Sequence, residues 1–344
     1  MEKSDRKLLV VGAGAIGGIT AVLLRNNGYD VEILCRDEEY ASFIRTQGIS
    51  ISGVRGDLRV RMPAYASASQ ITSRKDFILL ATKATDMIAA VNDILPLLSS
   101  CGQIVSMQNG ICEESIASVA GKDRVIGCVT GWGATMTGHG KLAMTSSGEF
   151  IIGYPGRSPD EYLGELAFIL SSVVPVKVTD NIMGHRYSKL IINACVTSLG
   201  AICGLYLGSM LLNMKIRRIF IEIVSEAMNV ADAMQLKVEI FGGKLDFRIF
   251  QRAGGYIALL KCHIILLVIG YSYRKIKSSS LQSLERGQRT EIDFLNGYIV
   301  SNGTSRKIGV PVNSMIVKII HEIEDGIRKI GMENFDDPFF NRFD

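Results

Sequence analysis

The side chains with the most chemical promise fall in four short segments. In Tyr187-Ser188-Lys189-Leu190-Ile191-Ile192-Asn193 the lysine and the last asparagine are four residues apart. On a helix both would project from one face. Arg289-Thr290-Glu291-Ile292-Asp293-Phe294-Leu295-Asn296-Gly297 reads as acids set in an apolar helix, shortly after Ser278-Ser279-Ser280-Leu281-Gln282. Thr82-Lys83-Ala84 and Gln108-Asn109-Gly110 each follow an apolar run. Reduction of a carbonyl by hydride transfer needs a proton donor for the developing alkoxide, polar groups that fix the carbonyl, and a hold on the substrate's far end. A lysine with its pKa lowered by partial burial suits the first role. An adjacent asparagine suits the second, and a glutamate with a serine suits a hydroxyl and a carboxylate.

Singly, each of these residues has an ordinary explanation. Lys189 would be a solvated helix residue, and Glu291 a surface ion-pair partner of Arg286 or Arg289. Asn109-Gly110 would be a turn, and Ser278 to Ser280 a helix N-cap. What lifts them is their occurrence with Lys7-Leu8-Leu9-Val10-Val11-Gly12-Ala13-Gly14-Ala15-Ile16-Gly17-Gly18, an apolar strand running into G-x-G-x-x-G and then a helical pattern. That is the context of a dinucleotide fingerprint. Gly12 allows the tight turn, Gly14 lets the backbone approach a diphosphate, and Gly17 lets the helix pack on the strand. Ala13, Ala15 and Ile16 complete the cofactor loop.

The second strand, Tyr29 to Arg36, selects the cofactor. An acid about 20 residues past the glycines would bind a ribose 2′-hydroxyl. Glu32 comes too early for this, and the strand ends instead on Arg36, whose guanidinium suits a 2′-phosphate. Asp37 follows, and a slip of one residue would exchange a phosphate binder for a ribose binder. The reading favours NADP over NAD.

These segments need a scaffold. Strands are predicted at 7–11, 30–35, 77–82, 103–107 and 125–129, with helices near 15–27, 84–99 and 113–120. That alternation implies an α/β domain with a parallel sheet and right-handed crossovers. The glycine-punctuated stretch 131–155 reads as antiparallel strands at the sheet edge, followed by a helix to Ser172 and a strand at 176–179. Past Asn181 helical periodicity dominates. The expected domains are residues 1–180 for the cofactor and 181–332 for the substrate, with the reaction in the cleft between them. Residues 333–344, which carry four phenylalanines, are read either as disordered or as docked on a partner.

The 344 residues are 47% hydrophobic and 21% charged, values of a globular chain. A net charge of +4 spread along the sequence gives no case for nucleic acid. Seven cysteines without C-x-x-C suggest buried reduced thiols and a cytoplasmic setting. The four histidines show no ligand spacing, so no metal site is expected; His185, one turn before Lys189 on the same helix face, is read as a surface residue, with tuning of that lysine as the alternative. The charged N-terminus running into a fold strand gives no signal-peptide pattern. Ile257 to Gly270 is the most apolar stretch, too short to span a membrane. It reads as a buried helix, with excess apolar surface that suits a homodimer.

Together, Gly12-Ala13-Gly14-Ala15-Ile16-Gly17, Thr82-Lys83-Ala84, Gln108-Asn109-Gly110, Lys189 to Asn193 and Thr290-Glu291-Ile292-Asp293-Phe294-Leu295-Asn296-Gly297 resemble the ketopantoate reductase (2-dehydropantoate 2-reductase) family in order and across nearly the whole chain. The resemblance implies a Rossmann-like domain followed by an all-helical C-terminal domain. It also implies NADPH-dependent reduction of 2-dehydropantoate to (R)-pantoate in pantothenate and coenzyme A biosynthesis. In that family pattern Lys189 is the general acid, and Glu291 holds the substrate hydroxyl, sets the lysine's state and lies against the cofactor. Asn109 touches the nicotinamide side and the substrate, Asn193 positions the substrate, and Ser279 binds its carboxylate. Arg36 and Lys83 face the adenosine phosphate or ribose. Two positions depart from the pattern around the substrate: Thr197 stands for an asparagine, and Ile276 for another. They leave open a related 2-oxo acid or hydroxy-acid dehydrogenase with a different branched substrate. A non-catalytic NADPH-binding sensor is the remaining alternative.

Overall fold

The computed structural model describes residues 5–251 and 255–344. The chain forms two compact units. One is built from the chain up to Gln108 plus Cys112–Arg186, the other from Asn109–Ile111 plus Tyr187–Asp344.

The first unit follows the predicted alternation and adds to it. Its elements are β1 (Leu8–Val11), α1 (Ala15–Asn26), β2 (Val31–Leu34), α2 (Glu38–Thr46), β3 (Ile49–Gly53), β4 (Leu58–Val60), β5 (Ala64–Tyr65), β6 (Lys75–Leu80), α3 (Met87–Ile94), β7 (Leu98–Ser106), α4 (Glu113–Ala120), β8 (Val125–Thr130), β9 (Ala134–Gly138), β10 (Lys141–Met144), β11 (Phe150–Gly153), α5 (Glu161–Leu170) and β12 (Val176–Val178). An eight-stranded sheet runs β12-β11-β8-β7-β6-β1-β2-β5. The six strands from β8 to β5 pair in parallel, and β11 joins β8 antiparallel. Both faces of the central strands are covered, so β1 is buried throughout and reads as an unbroken apolar run.

The glycine-rich stretch only partly extends this sheet. β9 and β10 join β3 and β4 in a separate four-stranded sheet, with β10 parallel to β3. Only β11 and β12 reach the main edge. The small sheet escaped the sequence reading because β3 and β4 are short and half-exposed, and β3 pairs with β10 across about 90 residues of chain.

The second unit is helical. It holds most of α6 (Ile182–Cys203), then α7 (Leu207–Leu212), α8 (Met214–Ala233), α9 (Arg248–Gln251), α10 (Tyr256–Ser272), α11 (Ser279–Glu285), α12 (Asn296–Ser305) and α13 (Pro311–Glu324). Three expectations are corrected here. The apolar stretch 257–270 is not a buried helix: in α10 only Cys262, Leu266 and Gly270 are buried, while Ile257 and Val268 are 71% and 60% exposed. A helix apolar on all faces packs only its Cys262 side against α7, α8 and α9 among the described residues. The segment at 290–297 is not a continuous helix either. Ile292–Phe294 form a 3-10 turn, Leu295 (φ −111°, ψ −99°) breaks the path, and α12 begins at Asn296. Finally, the tail is ordered on its own unit. Two 3-10 turns bury Phe335 and Phe340, and Lys215 pairs with Asp344 at 2.7 Å.

The chain therefore has a mostly parallel α/β N-terminal domain and a helical C-terminal domain. No helix among the described residues is long and apolar enough to cross a membrane.

Candidate functional site

Three parallel neighbours, β2, β1 and β6, end on one edge of the sheet. Gly12 to Gly17 follow β1, Arg36 follows β2, and Thr82-Lys83-Ala84 follow β6. Ligands bind at this carboxyl edge in open α/β sheets. Gly12 has φ +100°, and a Cβ on it would lie 2.9 Å from the Ala81 oxygen. The loop therefore sits directly on the turn that carries Thr82, whose hydroxyl is buried without a hydrogen-bond partner among the described residues.

Gly14 is the N-cap of α1, with no side-chain cap, no acid in the first turn, and open space where a Cβ would project. By contrast, α2 and α5 carry capping aspartates and first-turn glutamates. The bare N–H groups and dipole of α1 fit a diphosphate. Arg36 is exposed at the end of β2. Asp37, the competing ribose binder, uses its carboxylate to accept from the Tyr40 amide at 2.8 Å, capping α2. The donor set at this edge fits a dinucleotide.

The remaining predicted residues belong to the helical unit. Lys189, Asn193 and Thr197 recur every fourth position along α6, the first two half-buried. The Thr197 hydroxyl donates to the Asn193 carbonyl at 2.7 Å, so it is engaged by its own helix. Tyr187 pins α6 to α8 through its hydroxyl, which donates to Ala227 O at 2.8 Å. Burial pushes that phenol far above its usual range.

Ser278 caps α11, accepting from the Leu281 amide at 2.9 Å. It packs on Gly200 of α6, where a Cβ would lie 3.0 Å from its own. Ser279, exposed, begins α11 beside it. Ile276 is exposed as well.

Glu291 is half-buried at the head of the 3-10 turn. Its neighbour Arg289 turns instead to Asp325 at 3.0 Å and Glu324 at 3.8 Å. Asn296, from the same segment, donates to Ala194 O of α6 at 3.1 Å. Gly110 (φ +78°) lies against the Phe294 carbonyl, 2.5 Å from where its Cβ would be, so only glycine fits there. Backbone-level contacts thus bring the Asn109, Ser279 and Glu291 segments together around α6, all in one unit.

The sequence reading missed several residues of this arrangement. Arg186, buried, donates to the carbonyls of Gln108 and Cys128 at 2.7 and 2.9 Å. Its Nε lies 2.7 Å from the equally buried Glu113 carboxylate. His185 is buried, not at the surface. In the helical unit Glu226 accepts from the amides of Val312 and Asn313 and from the Asn313 side chain, at 2.8, 2.9 and 2.7 Å. Burial raises its carboxyl above the ordinary value, and these three donors oppose the shift. A glutamate between Val224 and Ala227 on the apolar stripe of α8 was the signal that could have found it.

Comparison with known proteins agrees with this architecture. Residues 8–157 match the family described as ketopantoate reductase PanE/ApbA, and residues 181–324 match its C-terminal domain. A 2-dehydropantoate 2-reductase from Pyrococcus horikoshii is 27% identical over 316 residues, covering 91% of this chain and 96% of that protein. A PanE/ApbA family ketopantoate reductase from Ralstonia eutropha superposes with a TM-score of 0.79 at 26% identity, covering 93% and 99% of the two chains. D-mandelate dehydrogenase with NADH and anilino(oxo)acetate shares the fold at 22% identity and a TM-score of 0.79, with the same coverage. With both its α/β and its helical portions matched in order, the chain is an oxidoreductase and belongs to the ketopantoate reductase family.

Proposed function

We propose that this oxidoreductase reduces 2-dehydropantoate to (R)-pantoate with NADPH, in the cytoplasm, as a step of pantothenate and coenzyme A biosynthesis. When bound, the cofactor supplies hydride for the C2 carbonyl. Lys189 donates a proton to the carbonyl oxygen as negative charge builds on it. Glu291 accepts from the substrate hydroxyl and, as a carboxylate, favours the charged lysine. Asn193 and Asn109 orient the carbonyl, Thr197 lines the same α6 face, and Ser279 holds the carboxylate.

The N–H groups at Gly12 to Gly17 bind the diphosphate. Lys83 serves the adenosine end, and Arg36 the 2′-phosphate. Residues 1–180 serve as the cofactor domain and 181–332 as the substrate domain. The seven free cysteines, six of them buried, suit a reducing compartment.

The observation that carries this reading is the gathering of the Asn109, Ser279 and Glu291 segments on the helix of Lys189, through Gly110, Ser278 and Asn296. The test is absorbance loss at 340 nm with purified protein, 2-dehydropantoate and NADPH, with NADH in parallel. Rapid NADPH oxidation, abolished in Lys189→Ala, is the expected result; equal oxidation by the variant would overturn it. A second reading, another branched 2-oxo acid, is favoured by Thr197. Its hydroxyl already bonds the Asn193 carbonyl, leaving a methyl where the family has an amide. Turnover of a panel of branched 2-oxo acids separates the two. The exposed apolar stripe of α10 further supports a homodimer formed through the helical unit.

A further inference from the structure

The segment carrying Glu291 is held at three points by one helix. At its start, the Thr290 amide and hydroxyl both donate to Glu324 Oε1, at 2.7 and 2.8 Å, at the last residue of α13. In its middle, Asp293 lies 3.0 Å from His321 Nε2, one turn earlier on α13. At its end, Asn296 donates to Asn313 Oδ1 at 2.9 Å, in the first turn of α13. Asn313, His321 and Glu324 are 8 and 3 residues apart in turn, spacings that put all three on one helical face. The loop therefore runs antiparallel along α13, clamped at both ends.

The far clamp has a fixed polarity. Three N–H groups converge on Glu226, so the Asn313 amide must turn its nitrogen to that carboxylate and its oxygen away. That oxygen can only accept, which fixes the Asn296 nitrogen toward it. The second Asn296 proton then goes to Ala194 O at 3.1 Å, on α6 next to Asn193. Asn296 and Asn313 are fully buried, and Glu226 nearly so. Every side-chain donor of this buried network is paired in one orientation, Asn296 Oδ1 alone having no partner among the described residues, and that pairing of donors specifies one geometry. Ser198 adds a bond from its hydroxyl to the same Ala194 carbonyl, and Thr197 one to Asn193 O, so side chains of the gripped α6 turn also engage its carbonyls.

We propose that α13 is a positioning bracket for the reaction, with Thr290 and Asn296 as the positioning residues that fix Glu291 relative to Lys189 and Asn193. This rests on the roles given to Glu291 and Lys189 above. It assigns to Asn296, Asn313, Glu226 and Glu324 a part in the rate without any contact with the substrate. Misplacement of a catalytic group by about 1 Å can cost on the order of a hundredfold in rate. The bracket should therefore act on kcat more than on binding.

The full-length protein is assayed as Thr290→Val, Thr290→Ser and Asn296→Ala, against the 2-oxo acid that the wild type turns over fastest. Urea unfolding and hydrogen exchange of the 291–295 amides are followed in parallel. The expected result for Thr290→Val is a fall in kcat of about tenfold or more with KM changed by less than about threefold. Exchange at 291–295 speeds up while the urea midpoint holds, and Thr290→Ser, which keeps the hydroxyl, is restored toward the wild type. Asn296→Ala lowers kcat likewise but also lowers the urea midpoint, because it leaves buried acceptors unpaired; should it fail to fold, the Thr290 pair decides. Unchanged kcat with faster exchange overturns the proposal, as does a loss of activity that follows the urea midpoint in the serine variant too. Should the wild type turn over no 2-oxo acid, the functional reading fails, and the exchange experiment alone tests whether α13 clamps the loop.

Discussion

Arg186 donates to the main-chain carbonyl of Gln108 at 2.7 Å, the residue that leads into Asn109. The same guanidinium reaches Cys128 O at 2.9 Å and the Ser106 hydroxyl at 3.4 Å, with its Nε beside Glu113. Three residues before Lys189, it ties the ends of β7 and β8 to the second turn of α6. Removing one member of a buried ion pair leaves the other charge uncompensated, at a cost of about 3–5 kcal/mol. Arg186→Met is expected to lose stability on that scale in urea unfolding. The double variant Arg186→Met with Glu113→Gln should recover part of it, because no lone charge remains. A single variant as stable as the wild type would show that the pair holds nothing in place.

What was legible in the sequence followed from strong local signals. The six-residue apolar runs, the glycine loop and the periodic α6 each declare their element without help from distant residues. Glu291 was placed on a helix because acids among apolar residues mimic that period. The break at Leu295 comes from Asn296 and Thr290 being held by α13, a tertiary effect invisible locally. Arg186 and Glu113 were missed for the same reason, since a buried pair 73 residues apart in number leaves no mark at either position. The exposure of α10 is also a property of what packs beside it, not of its own composition.

In the proposed reading, the choice of NADPH turns on Arg36. With Asp37 occupied in capping α2, the exposed guanidinium is the group at the end of β2 suited to a 2′-phosphate. A charge-assisted contact of this kind is worth about 2 kcal/mol, or some thirtyfold in affinity. Arg36→Ala should raise the KM for NADPH by about that factor and leave the KM for NADH within about twofold. Initial rates with both cofactors check this. An equal loss with both would place Arg36 outside the phosphate site.

His263 Nδ1 accepts from Arg217 Nε at 3.1 Å, joining α10 to α8. Burial first, then the positive charges of Arg217 and Arg218, hold its pKa below the ordinary 6.5. Below about 6.5 the unfolded chain takes up a proton that the folded chain resists. The contribution of this contact to stability is therefore full above 6.5 and is lost as pH falls below it. His263→Gln, which keeps an acceptor and cannot titrate, should flatten the pH dependence of the urea midpoint between pH 5 and 7. If the two curves remain parallel, His263 does not govern the acid side.

The last expectation concerns α10. Its outward face carries Tyr256, Ile257, Leu260, Ile264, Val268 and Tyr271, all exposed, at helical spacing. Contiguous exposed apolar surface of this kind marks an interaction site. A second copy is the partner proposed for it, so the wild type should sediment as a dimer at micromolar concentration. Replacing Ile264 and Val268 with lysine puts charge into that contact without touching the buried side of the helix. The double variant should sediment as a monomer with an unchanged circular dichroism spectrum. Lys189 and Glu291 lie on other elements, so turnover per subunit should stay within about twofold of the wild type. A wild type that is monomeric across the micromolar range would remove the dimer and leave the stripe for another occupant.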